Sequence, residues 1–600
     1  MKKYSITKKA FQMYHSYNPK YFPLIFVQII FENVSPYFNL WLSAEIVTAL
    51  YEGRDRGGLY TLVAVTLFGN LFIRVMGAAT NRSGATQLEI LENHQAAAFN
   101  HKTLSLDYDK IEDPEIRQHR RKVKENAWIN SYGVIRMRME VQRLMKCLVN
   151  LVLSMMLFAE MISLIVTVGF QWLGLVLFIA IVVCIALTVL SQSWSIRKIT
   201  LWNKNVADQM LDENRIDGGY RPDGMDNRIY CQQGIISKLR EKIARQHLKI
   251  FSKTADMNFV YGLPMSLFSN FLEICSFLII CFYCTIGAFP VGSVIKYVGF
   301  LQGMIQGIAD FFAALNSLKG NEIFLKVYLD YFDIRNDMYQ GSLAVEKRSD
   351  KKYDIEFKNV SFRYAGAQDN ALKNISIKLK VGERLAVVGM NGSGKTTFIK
   401  LLCRLYDPTE GEIVMNDFNI RKYDYRQYLD IFSVVFQDFN LLAVPLGSNV
   451  ASASVWDSVK AEMLLEKVGF GERYAKMPKG LDTPLYKNFD QDGVNISGGE
   501  AQKIALARAL YRDTPFIILD EPTAALDPIA EAEIYAKFNE IVGDKTAVYI
   551  SHRLSSCRFC DRIAVFDQGR IVQMGTHDEL LEDETGKYHE LWYAQARHYT

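Results

Sequence analysis

No cysteine pair in this 600-residue chain has a second pair at zinc-site spacing. The nine cysteines, an odd and scattered set, do not form a secreted disulfide framework either. Cys281–Cys284 sits in an apolar run and Cys557–Cys560 in a polar half, so both read as packing residues of a reducing compartment. A charge surplus is also lacking. Sixty-nine basic against 65 acidic side chains leave a formal +4, too little to suggest nucleic acid as a partner. No small-residue cleavage site follows the N-terminus, which argues against a removable signal peptide. From residue 353 onward there are no internal repeats and no apolar run long enough to span a bilayer.

The first 330 residues hold what the second half lacks. Hydrophobic residues make up 50 % of the chain and charged ones 22 %, so one part is greasy and another soluble. Val149–Leu190 carries one charge, Glu160, and is too long for one span of about 20 residues; a turn near Gly169–Gln171 divides it into two antiparallel helices. Tyr21–Leu50 and Leu59–Ala79 form a second hairpin around Tyr51–Gly58. Ser266–Phe289 and Val294–Leu315 form a third, broken at Pro290 and Gly292. The pattern predicts six spans.

Basic residues orient them. Lys2, Lys3, Lys8, Lys9 and the stretch Arg117–Lys146 fall on one side, with only Arg54 and Arg56 opposite, so the N-terminus, long loops and C-terminal half are expected in the cytoplasm. Ile6, Ala10, Met13, Tyr14 and Tyr17 share one helical face beside lysines, which predicts a helix in the membrane interface ahead of the first span. Glu32, Arg74, Glu160, Glu273 and Asp310 fall within or at the ends of apolar stretches, where ionisable groups are costly. Four acids against one base lean toward a cationic or amphipathic cargo.

The expected domains are 1–335 in the membrane, a charged linker over 336–352, and one soluble α/β domain over 353–600. In that last segment GMNGSGKT (Gly389–Thr396) fits the P-loop pattern, following the apolar strand Arg384–Gly389 and opening the helix Thr396–Leu405. Glycines let backbone N–H groups close around phosphate oxygens at a helix N-terminus. Lys395 would reach the β- and γ-phosphates of ATP, and the Thr396 hydroxyl would ligate Mg²⁺. Further along come Gln437 in VVFQD, ISGGE (Ile496–Glu500), FIILDE (Phe516–Glu521) and His552 in SHRL.

In this order the motifs resemble the nucleotide-binding domain of ATP-binding cassette (ABC) proteins. The whole chain resembles an exporter-type half-transporter, a six-helix all-α membrane domain followed by a soluble α/β P-loop domain. The resemblance implies that Tyr364 stacks on adenine and that Gly389, Asn391, Gly392, Ser393, Gly394, Lys395, Thr396 and Thr397 surround the phosphates. It implies Asp520 and Gln437 at Mg²⁺ beside Thr396, Glu521 as the base that polarises the attacking water, and His552 at the γ-phosphate. Ser497, Gly498, Gly499 and Glu500 would face the ATP of the other subunit, with Asp527 communicating across the sandwich. Isoleucine replaces the usual leucine at 496, and glutamate replaces glutamine at 500, which places an acid near the nucleotide. Leu106–Arg117 resembles a first coupling helix, and a second falls within Asp212–Tyr230.

The function implied is ATP-driven export by a dimer, with a drug-like amphiphile, peptide or lipid as cargo. An ATP-gated channel, a regulatory sensor and an exporter-fold importer are the alternatives. Completeness of the motifs favours a homodimer over a heterodimer. Membrane lipid is the other expected partner, and the location expected is a cell (plasma or inner) membrane. The N-terminal stretch is too short for the peptidase domain that some peptide exporters carry, so cargo cleavage is not expected.

Overall fold

A computed structural model describes residues 5–128, 131–169, 171–210, 225–346, 352–487, 490–522, 542–551 and 554–596. The chain separates into two compact units, one of Met1–Leu106 with Ile111–Arg335, the other of Asp107–Lys110 with Asn336–Thr600.

Among its described residues the first unit is built from helices. Its elements are α1 (Ser5–Tyr17), α2 (Tyr21–Tyr51), α3 (Arg56–Leu104), α4 (Tyr108–Glu112, whose first residues fall in the second unit), α5 (Pro114–Trp128), α6 (Val134–Val168) and α7 (Trp172–Met210). Helices Met225–Ile229, Gln233–Thr285 and Ser293–Asp333 complete it. Breaks fall where the backbone chemistry changes. The Asp55 carboxylate accepts the Gly57 N–H and caps α3, while Gly169, at φ 93°, ends α6. Among the described residues five helices are long and apolar enough to cross a membrane: Arg56–Leu104, Val134–Val168, Trp172–Ile199, Gln233–Thr285 and Ser293–Asp333. The sixth expected span, α2, is 31 residues long but is diluted by Glu32, Asn33, Asn39 and Glu45.

Packing adds to two expectations. Helices α2 and α3 lie against each other as a hairpin. By contrast, α6 packs along Ser293–Asp333 and α7 along Gln233–Thr285, so the α6–α7 pair adjacent in sequence is not the packing unit. A stripe of small residues explains the close fit of Ser293–Asp333. A Cβ at Gly299 would lie 2.6 Å from Leu40, one at Gly303 2.4 Å from the Tyr37 hydroxyl, and one at Gly307 3.2 Å from Leu151. Apolar association gains nothing from water in lipid, so such close approach is what holds helices together. Secondly, the apolar face of α1 is turned onto protein: Ala10 and Tyr14 are buried in one cluster with Leu325, Tyr328 and Tyr331.

The intramembrane acids have partners. Glu160 accepts from Lys296 at 2.9 Å and from the Tyr297 hydroxyl at 3.3 Å. Asp310 pairs with Arg143, Glu140 with Arg136 at 3.0 Å, Glu273 with Gln302 at 2.9 Å and Glu32 with Gln28 at 2.7 Å. Lys296 lies inside an apolar stretch and Arg143 beside one, and both were left out of the acid-to-base comparison. With them the count is four acids against three bases, so the lean toward a cationic cargo narrows.

In the second unit, β1 (Ile355–Phe362), β2 (Leu372–Leu379), β4 (Glu410–Met415) and β5 (Phe418–Asn419) make an antiparallel sheet in the order β2-β1-β4-β5. A second sheet runs β10-β9-β3-β8-β7-β6, from β3 (Arg384–Val388), β6 (Phe432–Val435), β7 (Phe516–Asp520), β8 (Thr546–Ile550), β9 (Arg562–Asp567) and β10 (Arg570–Gly575). All its ladders are parallel except β9–β10. Strands β7 and β8 are buried at every position, the near-continuous apolar pattern of a sheet covered on both faces.

Candidate functional site

Among the described residues the parallel strands deliver three motifs to one edge. In an open α/β sheet, ligands bind beyond the carboxyl ends of the strands. There β3 runs into the P-loop, β7 ends at Asp520, β8 lies between them, and β6 leads two residues on to Gln437. Two glycines set the loop. A Cβ at Gly389 would meet the Phe566 carbonyl oxygen at 2.2 Å. Gly394, at φ 106°, immediately precedes the Lys395–Leu402 helix, where a Cβ would sit 2.6 Å from Leu372.

Lys395 is buried, and its ammonium donates to the Gly389 and Met390 carbonyls at 2.9 and 3.0 Å, folded over the loop. Burial lowers its pKa, while the charges of Glu521 and Asp520 oppose that shift. Asp520 moves the other way. Burial first, then the Glu521 charge, push its carboxyl up to about 6, with Lys395 pulling it down. Glu521 adopts φ 50°, its N–H bonded to the Ile550 carbonyl at 3.0 Å, and its carboxylate accepts from the Gln437 amide at 2.9 Å. Backbone strain at a charged residue in a site is worth reading functionally. Here it accompanies a carboxylate held beside Gln437 instead of buried in the sheet.

The loop suits an anion. The Ser393 hydroxyl is buried without a hydrogen-bond partner, and a Cβ at Gly392 would meet only open space. Asn391 and Thr396 are exposed. Thr397 is buried and its hydroxyl lies 3.1 Å from that of Tyr364. Tyr364 is half-buried, edge-on to Phe362 and Tyr406 at 4.9 and 5.4 Å, with the Lys400 ammonium 5.9 Å from its ring centroid. Tyr108 joins this group, 5.7 Å from Tyr406 and 5.3 Å from Lys400, while the Asp107 carboxylate accepts the Asp337 and Met338 N–H groups.

The ISGGE segment (Ile496–Glu500, the signature segment below) opens a helix of its own. Ser497 caps the Gly498–Tyr511 helix: its hydroxyl accepts the Glu500 N–H at 3.3 Å, and Glu500 accepts the Ser497 N–H at 2.8 Å. Gly498 and Gly499 form its first turn. His552 and Asp527 lie outside the described residues, as does most of the second coupling region, whose described end carries the short helix Met225–Ile229. Three charged residues escaped sequence reasoning. Asp438 adds to the field on Asp520 and follows Gln437 directly. Lys296 sits in plain view within an apolar stretch. Arg473 pairs with Glu500 across 27 residues and carried no local signal.

Comparison with known proteins identifies the domain and the fold. The ABC transporter family matches residues 372–524. The subtilin transport ATP-binding protein SpaT of Bacillus subtilis is 33 % identical over 351 residues, 57 % of this chain and 55 % of that protein. The ATP-dependent lipid A-core flippase of Escherichia coli K12 is 38 % identical over 253 residues, 42 % of each chain. The flippase of that name from Burkholderia orbicola is 40 % identical over 233 residues, 39 % of each. The alignments thus span about half or less of these relatives. A solved bacterial Atm1-family ABC exporter with ATP bound superposes with a TM-score of 0.66 at 21 % identity, covering 96 % of this chain and 97 % of that one. The chain therefore carries an ABC transporter domain and has the ABC exporter fold.

Proposed function

We propose that this chain, an ABC transporter domain set behind an exporter-type helical half, hydrolyses ATP to drive export across a membrane and works as a dimer of half-transporters. What supports it most is the convergence of Lys395, Asp520, Glu521 and Gln437 at one sheet edge, with the Gln437 amide 2.9 Å from the Glu521 carboxylate. In this reading Lys395, the P-loop N–H groups and the Ser393 hydroxyl hold the phosphates of ATP. Thr396, Gln437 and Asp520 hold Mg²⁺, which neutralises developing phosphate charge when bound. Tyr364 offers its ring to the base. Glu521 orients and polarises the attacking water, and Gln437 fixes the direction of its carboxylate.

Ser497 and Lys395 serve different nucleotides, so each site needs two chains, and the intact motif set favours two copies of this one. The nucleotide unit faces the cytoplasm of a plasma or inner membrane. Relatives are named for subtilin transport and for lipid A-core flipping, so an amphipathic peptide or lipid is the cargo class to try first. The deciding variant is Glu521→Gln in lipid: ATP binding is retained while kcat falls at least about 100-fold. Near-normal steady-state turnover in that variant would overturn the assignment of the base, and with it the pump.

A further inference from the structure

The departure at position 500 leaves a question that the fold answers. Glutamate and glutamine both close a capping box, so the extra charge is what distinguishes Glu500 from the usual residue. One carboxylate oxygen accepts the Ser497 N–H at 2.8 Å; the other lies 2.9 Å from the Arg473 Nε. The same guanidinium donates through Nη2 to the Asn495 carbonyl at 3.4 Å, so it touches the segment on both sides of Ser497.

Arg473 stands on a seated platform. Its short helix, Gly471–Tyr474, follows the buried Phe470, and Tyr474 packs against the same core cluster as Ile496. One turn further along the signature helix, Lys503 donates to the Gly469 carbonyl at 2.9 Å, which fixes this platform a second time. The two side chains are 35 % and 27 % exposed, a range in which an ion pair adds little to folding. Its effect falls on the local field.

We infer that Arg473 is a positioning residue that cancels the Glu500 charge, allowing an acidic signature segment to meet an anionic nucleotide. The inference rests on the reading of Ser497–Gly499 as the edge offered to the partner's ATP. Without Arg473, an uncompensated carboxylate stands at that edge and repels phosphate, and the segment loses its hold on Asn495.

The test is steady-state ATPase of the full-length chain in lipid as a function of MgATP. Arg473→Ala raises KM about three- to tenfold with kcat within about twofold, as a single like charge at this range predicts. The increase shrinks at high salt. Glu500→Gln alone lowers KM, because Arg473 then stands uncancelled beside the phosphates, and Arg473→Ala combined with Glu500→Gln returns KM most of the way to the parent value. A parental KM in Arg473→Ala overturns the inference. So does a double variant no better than Arg473→Ala, since the arginine then acts by some route other than cancelling this charge. Ser497→Arg is the separate check on the underlying reading. Unchanged ATPase in that variant means the signature segment does not serve a nucleotide, whatever Arg473 does.

Discussion

Asp520 joins two properties that are normally kept apart, burial and a charge that the proposed Mg²⁺ site would require. Its carboxyl titrates near 6 because burial and Glu521 disfavour the anion. Above that pH the group is ionised and, on the function proposed above, able to take Mg²⁺; below it a proton must leave first. Mg²⁺-dependent ATP affinity should therefore fall as pH drops through about 6, approaching tenfold per unit for one proton. Equilibrium binding on the Glu521→Gln background checks this, and Asp520→Asn should flatten the profile. Tyr364 offers a different test. Its hydroxyl meets Thr397, but base stacking needs only the ring. Tyr364→Phe should keep MgATP affinity within about twofold while Tyr364→Ala loses about tenfold or more; equal affinities in the two variants would remove the stacking role.

Among the elements, the Ser293–Asp333 helix is constrained from two directions, by glycines facing α2 and α6 and by charges facing α6. Gly303→Leu should lower the thermal midpoint and folded yield in detergent, because the Tyr37 hydroxyl already occupies the space. Gly77→Leu, with nothing within 4 Å, serves as the tolerant control. Glu160→Gln strands the buried Lys296 and should cost a few degrees, recovered in part by adding Lys296→Met. Helix ends were legible in the sequence because they depend on local chemistry: Tyr51–Gly58, Gly169–Gln171 and Pro290–Gly292 all mark real breaks. The P-loop and the end of β7 were legible for the same reason. Pairings such as Lys296 with Glu160, or α6 with Ser293–Asp333, join residues more than a hundred positions apart. No local spacing encodes them.

For the whole molecule, mixing damaged copies asks whether two identical chains share their sites. A Lys395→Ala copy paired with a Ser497→Arg copy would hold one doubly damaged site and one intact site. If one site suffices, co-expression should restore part of the ATPase that each variant loses alone. A wild-type chain that binds ATP yet stays inactive until a different half-transporter is added would instead establish a heterodimer. Scale matters to the motion as well. At 1.5 Å per residue, the 49 residues of α3 make a rod of about 74 Å, more than twice the roughly 30 Å of a bilayer's apolar core. It contains no proline, whereas the 53-residue helix Gln233–Thr285 carries Pro264. A rod of that length turns angle into travel: pivoting about 5° at one end sweeps the other by roughly 6 Å, close to one helical pitch. In the pump proposed above, the first helix would act as a crank that keeps its stroke, and the second, with a proline inside it, as a coupling with some give.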